Sequence, residues 1–299
     1  MRILSMVKIV TIALFAVALI PLNAYSAGTT TATFLNLEVS AAAEGMGSAY
    51  SAIADDASAV TINPAGMIQV PKQQVMVMHN EYLLDIDHEY FSYVTSQGDH
   101  AWGGSITYID YGVQSEYDAT NTFIGTFNPN SYALSIAYAA KYNAMLSYGV
   151  AVKYIKMKIT ESGSTFAVDG GLLYKLGETG WRFGAALSNL GGDIEFIEEG
   201  DPLPLTFKIG TAYQFDKMPL LASFDLYTIK EEDPEYHLGV QYTLQEMVNL
   251  RLGYNSNDDL DNGITYGIGL KQENFAVDYA FVPKGELGDS HRFSLNLNF

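Results

Sequence analysis

Five histidines, His79, His88, His100, His237 and His291, are the side chains best suited to metal or acid–base chemistry. None has a histidine or acidic partner at a standard metal-ligand spacing, so they read as wall or loop residues. Asn257, Asp259 and Asp261 alternate like the opening of a calcium loop. An EF-hand then needs Gly at the sixth position and Glu at the twelfth; Asn262 and Ile268 stand there instead. This acidic loop, like Glu231, Glu232, Asp233 and Glu235, therefore reads as solvated, with at most weak surface cation binding. Gly45-Met46-Gly47 opens like a dinucleotide fingerprint, but Tyr50 occupies the third glycine position. No G-x-S-x-G elbow exists, and with no cysteine there is no thiolate ligand and no disulfide. The expectation is a protein that is not an enzyme and carries neither metal nor cofactor.

The elements around these residues explain the lack of chemistry. From Phe275 to Phe281 every second residue is large and apolar: Phe275, Val277, Tyr279, Phe281. Phe293, Leu295, Leu297 and Phe299 repeat the pattern, alternating with Ser294, Asn296 and Asn298. Period-two alternation marks a strand with one apolar and one polar face. A strand of this kind that ends on an aromatic fits the closing strand of an outer-membrane β-barrel, with Phe299 as the barrel-closing terminal residue. Mean hydropathy is only +0.05, which argues against several membrane helices. It is compatible with a barrel, whose apolar residues are dispersed by alternation. The 21 tyrosines among 299 residues suit the aromatic girdles where a barrel meets lipid headgroups.

Residues 1–26 read as a secretory signal: Arg2 and Lys8, an apolar run from Ile9 to Ile20, and small residues at Ala24-Tyr25-Ser26. Its removal would leave 14 Lys+Arg against 34 Asp+Glu, a net charge of −20. Such acidity argues against nucleic acid as a partner. Residues 27–72 are rich in Ala, Gly and Ser and lack alternation, with short helices expected between Ala41 and Ala59 and a turn at Asn63-Pro64-Ala65-Gly66.

From residue 73 to 299 the pattern predicts fourteen strands, near 73–79, 88–97, 100–111, 131–141, 145–160, 165–176, 180–189, 205–215, 220–229, 236–244, 247–255, 263–271, 274–282 and 291–299. The connections alternate short and long, as the two ends of a membrane barrel do; 161–164 is the exception, and its long flanking strands suggest a projecting hairpin. Tyr236, Leu238, Val240, Tyr242 and Leu244 are expected to face lipid, while Arg182, Lys208 and Arg251 face inward. In 145–160 the apolar phase changes after Tyr154. The change predicts either a β-bulge near Tyr154–Ile155 or a strand end beyond the bilayer.

Four sequence clusters then carry a resemblance. Phe34-Leu35-Asn36-Leu37, Gly45-Met46-Gly47-Ser48-Ala49-Tyr50, Ala54-Asp55-Asp56-Ala57-Ser58-Ala59 and Asn63-Pro64-Ala65-Gly66-Met67 resemble the N-terminal signature of the PorV/PorQ family. That family is similar to the FadL-type outer-membrane transporters, with which it shares the Asn-Pro-Ala-Gly turn. At Ser40-Ala41-Ala42-Ala43 the family usually has Gly-Ala-Arg-Ala, so no ion pair is expected from Ala42. The resemblance implies an all-β fold: a fourteen-stranded antiparallel transmembrane β-barrel whose residues 27–72 form a lumenal hatch. Gly45, Met46, Gly47, Asp55, Asp56, Asn63, Pro64, Ala65 and Gly66 are the hatch motif. Helix-end capping is the simpler role for Asp55 and Asp56. Small inward residues such as Ser135, Ala137, Gly184, Ala186 and Ser188 would leave room for the hatch.

Two functions follow as expectations. PorV/PorQ-type members bind or shuttle secreted cargo of type IX secretion at the bacterial cell outer membrane. Their partners would be secreted cargo proteins or secretion subunits, besides outer-membrane lipid and the barrel-assembly machinery. Tyr111, Tyr117, Phe123 and Phe127 around the 112–130 loop would supply a binding surface. The alternative is FadL-like transport of a hydrophobic small molecule through the hatch.

Overall fold

The computed structural model describes residues 30–83, 86–197, 199–257, 262–285 and 288–299. The expected signal sequence 1–26, and Asp259 and Asp261 of the acidic loop, lie outside these residues. The chain forms β1 (Gln73–Glu81), β2 (Asp87–Gln97), β3 (His100–Asp110), β4 (Gln114–Tyr117), β5 (Phe123–Phe127), β6 (Asn130–Lys141), β7 (Leu146–Lys158), β8 (Ser162–Lys175) and β9 (Trp181–Gly191). There follow β10 (Ile194–Glu195), β11 (Gly200–Asp201), β12 (Thr206–Gln214), β13 (Leu220–Ile229), β14 (Glu235–Leu244), β15 (Val248–Asn255), β16 (Ile264–Gln272), β17 (Phe275–Pro283) and β18 (Asp289–Asn298).

Fourteen of these strands close into one antiparallel barrel, in the order β1-β18-β17-β16-β15-β14-β13-β12-β9-β8-β7-β6-β3-β2. Each of the fourteen expected runs is one of its staves. The seam pairs β1 with β18, from Gln74 opposite Asn298 to Glu81 opposite His291. The Phe299 amide extends it with a 3.0 Å bond to the Gln73 carbonyl. Closure leaves no unpaired strand edge in the ring. The other four strands are two hairpins, β4–β5 and β10–β11, set within the connections after β3 and β9. Connections at one rim are short, such as 98–99 and 273–274, and at the other mostly long. The rims are called the short-turn and long-loop rims below. β7 and β8, 13 and 14 residues long, are the tallest staves and meet through the brief link 159–161 at the long-loop rim.

Alternation sets the faces. Along β14, Tyr236, Leu238, Val240, Tyr242 and Leu244 are exposed, while His237 and Gly239 are buried. Ile136 on β6 is 72% exposed. An apolar outer surface with a small or polar inner surface inverts the arrangement of a water-soluble sheet and matches a hydrocarbon surrounding. Among the described residues no helix is long and apolar enough to cross a membrane.

Of the two expectations for β7, the bulge is absent. Its pairing with β6 and β8 runs unbroken through Tyr154 and Ile155, and inward residues stay in phase from Ser147 to Ile155. The apparent phase change has another cause. Near the long-loop rim the inner face itself becomes apolar, because Ile155 packs in one buried cluster with Phe34, Ile109 and Ile194. Within the ring a register shift lies instead between β8 and β9, at Val168–Gly170. Asn189, with φ of 65°, takes up the left-handed backbone there, and its amide donates to Asp169 Oδ1 at 2.8 Å.

Candidate functional site: the barrel lumen

Residues 30–72 run through the inside of the ring. They begin at the long-loop rim, where the Thr31 amide donates to the Pro202 carbonyl at 3.0 Å. A 3-10 turn, Thr33–Asn36, places Phe34 in the upper cluster. The helical turn Ala41–Glu44 starts where Ser40 Oγ accepts from the Ala43 amide at 3.4 Å, and lies against β16, β17 and β18. A second helical turn, Ala59–Ile62, leads to Asn63. The 3-10 stretch Pro64–Gln69 then packs on β6, β7 and β8 across the lumen. The segment thus touches opposite walls, and its Met46, Ile53, Val60 and Met67 form the main buried cluster with Met76 of β1 and Val94 of β2.

Close approach needs walls without side chains, and the sequence supplies them as inward glycines. A methyl group on Gly267 would stand 2.9 Å from the Gly45 Cα, and one on Gly239 would stand 2.6 Å from the Met46 carbonyl oxygen. Methyls on Gly253, Gly184, Gly171 and Gly149 would overlap Gly47, Ser51, Asn63 and Pro64. Several of these glycines face one another across the sheet: Gly149 opposite Gly171, Gly184 opposite Gly210, Gly239 opposite Gly253. They form a belt of bare backbone around much of the lumen.

Polar bonds complete the seating. The Ser51 amide donates to Asp225 Oδ2 (2.9 Å), the Gly47 amide to Thr265 Oγ1 (3.1 Å) and the Ala57 amide to Gln74 Oε1 (2.6 Å). Asn63 Nδ2 donates to the Ser51 carbonyl at 2.8 Å and to the Leu172 carbonyl of the wall at 3.1 Å. Glu44, itself half-buried, pairs with the buried Arg292 of β18. A buried amide or charge left unmatched here costs about 1–3 kcal/mol or more, so these partners hold the segment in one register.

The hatch-motif residues named from the sequence are brought together by local geometry and wall contact. Asn63 Oδ1 accepts from the Ala65 amide at 3.2 Å, capping the turn that Pro64 begins. A methyl on Gly66 would stand 2.7 Å from the Ala54 Cβ, so only Gly fits. Asp56 Oδ1 accepts from the Ser58 amide at 2.9 Å and from its hydroxyl, a local turn ahead of Ala59–Ile62. Burial pushes the Asp56 carboxyl up to about 7, against those two bonds. Asp55 accepts from the Tyr50 hydroxyl at 3.1 Å and lies 4.0 Å from Arg182.

Among the described residues two large cavities flank the stretch Ala42–Tyr50, one on each side of it. The cavity toward the long-loop rim measures about 510 Å³ and meets Glu44 and Ser48; the one toward the short-turn rim measures about 570 Å³ and meets Ala42 and Tyr50. The upper cavity, toward the long-loop rim, has two kinds of lining. Phe34, Leu37, Ile86, Ile109 and Val282 supply its apolar surface, with Ser290, Arg292 and Lys284 beside Val282. Lys208, Tyr227, Glu235 and His237 add polar surface. There Lys208 Nζ lies 4.8 Å from the centre of the Tyr227 ring, and His237 stacks on the same ring while bonding Glu235 at 3.0 Å. Glu38 of the segment opens onto this cavity. Its burial lifts the carboxyl above the usual range, and Lys208 is the chief influence pulling it back.

Sequence reasoning placed Lys208, Arg182 and Arg251 inward but missed their partners, and it missed Glu38, Glu44 and Arg292. Arg292 precedes outward Phe293, so the alternation itself carried that signal. The histidines do not converge. His79 meets Glu89, His100 meets Tyr138 and His291 meets Tyr279, each at 2.7–2.8 Å. Among the described residues no group of three or more His, Asp or Glu could hold a metal ion. Of the loop aromatics, Tyr111 turns inward onto the upper cluster, whereas Tyr117 and Phe123 stay exposed and meet edge to face on the β4–β5 hairpin.

Residues 24–167 match the model of an uncharacterised protein family, UPF0164. No curated protein matches the chain. Solved structures do. The CymD monoaromatic hydrocarbon channel superposes with a TM-score of 0.63 at 15% identity, over 87% of this chain and 97% of that one. The Pseudomonas putida toluene transporter TodX gives 0.59 at 12%, over 86% and 97%. A Pseudomonas aeruginosa FadL homologue gives 0.58 at 13%, over 92% and 99%. At these identities the likeness is one of fold, the closed fourteen-stranded barrel.

Proposed function

We propose that the protein is an outer-membrane channel through which a small apolar or amphipathic molecule passes, with residues 30–72 as its hatch. The observation that carries this reading is the pair of cavities, one toward each rim, divided by the single stretch Ala42–Tyr50. A purely structural barrel has no need of two vestibules, one at each rim. The hydrocarbon-channel titles of structures sharing the fold favour the same class of permeant. The apolar outer face supports a place in the outer membrane, reached by way of the expected signal sequence.

The test is uptake by proteoliposomes. Vesicles holding the protein should take up a small aromatic hydrocarbon and an eight-carbon amphiphile faster than empty vesicles, without admitting a sugar of similar size. Tethering the hatch to the wall, by bridging Glu44→Cys and Arg292→Cys in this cysteine-free chain, should abolish the difference. Uptake no faster than in empty vesicles would defeat the channel reading.

Binding of secreted cargo, as in the PorV/PorQ type, keeps one specific support in the exposed Tyr117–Phe123 pair. Purification in mild detergent, followed by mass spectrometry of the accompanying proteins and lipids, separates the two. A near-stoichiometric secreted protein would favour cargo binding; a defined small molecule without protein partners favours the channel.

A further inference from the structure

Among the charged side chains that line the upper cavity, two of opposite sign feel each other without forming an ion pair. Glu38 comes from the hatch and Lys208 from β12. Both line the 510 Å³ cavity, and they also share the small niche beside it with Tyr227. They attract each other, yet the ion pairs formed inside the barrel join other residues: Glu44 to Arg292, Lys153 to Asp169, Arg251 to Asp278. Each is held apart by its own anchor. Glu38 Oε1 accepts from the Val39 amide at 2.9 Å, and Lys208 rests over the Tyr227 ring. The same cavity is lined by the apolar side chains Phe34, Leu37, Ile109 and Val282.

Such a cavity discriminates by the head group of its ligand. A plain hydrocarbon would strip water from both charges and give nothing in return. An anionic head satisfies Lys208 but leaves Glu38 shielded from water beside a like charge, and a cationic head does the reverse. A compact head with both charges satisfies the two together, while its chain lies on the apolar side chains. The volume suits this, since small-ligand sites span roughly 300–1,000 Å³. We propose that the upper cavity binds zwitterionic amphiphiles, with Glu38 taking the cationic group, Lys208 the anionic group and Phe34, Leu37 and Ile109 the chain. The proposal rests on the channel reading and adds to it the chemical class of the permeant.

The test is equilibrium dialysis of the protein in maltoside micelles against four eight-carbon probes, with empty micelles as the blank: N,N-dimethyl-N-octylglycine, octanoate, octylamine and octane. The octyl betaine should bind at least tenfold more tightly than each of the others. Lys208→Met should weaken betaine at least tenfold while strengthening octylamine. Glu38→Gln should weaken betaine comparably and strengthen octanoate. Heat-modifiable gel migration checks that each variant is folded, and the swap of Glu38→Lys with Lys208→Glu should restore betaine preference. Any other probe binding as tightly as betaine, or none binding, overturns the head-group proposal. The channel reading is decided separately by the uptake assay, which scores the hydrocarbon as well as the amphiphile.

Discussion

Gly45 and Gly267 meet backbone to backbone: a methyl on Gly45 would stand 2.8 Å from the Gly267 Cα. The contact joins the lumenal segment 30–72, the proposed hatch, to β16 with no side chain between them. Gly267→Val should therefore unseat the Ala41–Gly47 stretch while leaving the strand, whose Val side chain suits a sheet. The expected result is a barrel that still shows heat-modifiable migration but whose hatch is cut by protease and whose ion conductance rises. An unchanged hatch would show that the wall yields instead.

Glu44→Gln leaves Arg292 buried without its carboxylate. Breaking one side of a buried pair typically costs about 3–5 kcal/mol, and Arg292 shows only 4% of its side chain to solvent. Hydrogen exchange at 41–50 should accelerate by orders of magnitude. Arg292→Met together with Glu44→Met should recover much of the protection, because no charge is then stranded.

The hatch should also loosen as pH rises. Asp56 titrates near 7 when folded and near 3.8 when solvated. A group with a raised folded pKa stabilises fully below its unfolded value, and that contribution is lost as pH climbs through the folded one. Across the window from about 4 to 7 the loss is at most about 4 kcal/mol. Protease cleavage within 50–60 should be faster at pH 8.5 than at pH 5, and Asp56→Asn should flatten the dependence.

On the outer face, Ile136→Lys places a charge in a residue that is 72% exposed at mid-stave. The cost in a bilayer is about 2–4 kcal/mol. Refolding into lipid vesicles under denaturant should register it, whereas Ala137→Ser on the same strand, facing inward, should register little.

Much of this architecture was legible because a strand between lipid and lumen must alternate. Phe207 and Ile209 against Gly210 and Ala212 leave little ambiguity about face or existence, so all fourteen staves and the short and long connections could be read. The hairpins β4–β5 and β10–β11 could not be, since their few residues face solvent or cover a local cluster and need not alternate. Ile155 misled the reading of β7: an inward apolar residue implies a slip only if the lumen is polar at that height, and there it holds Phe34. The lumenal pairs were the least legible. Glu44 and Arg292 are 248 positions apart, and their meeting depends on barrel closure and on the path of the hatch together.

The belt of bare backbone also bears on how the ring is made. Met46 rests on one wall and Pro64 on the opposite one, each against positions that admit no side chain. A ring closed empty would have to receive both contacts through a rim, past the covering hairpin at one end and the turns at the other. A sheet that curls around a seated segment makes them as it bends, and the β1–β18 seam then zips from Gln74–Asn298 to Glu81–His291 over a filled interior. The hatch is in this sense a former around which the sheet is rolled, and the packing favours an assembly order of segment first and seam last.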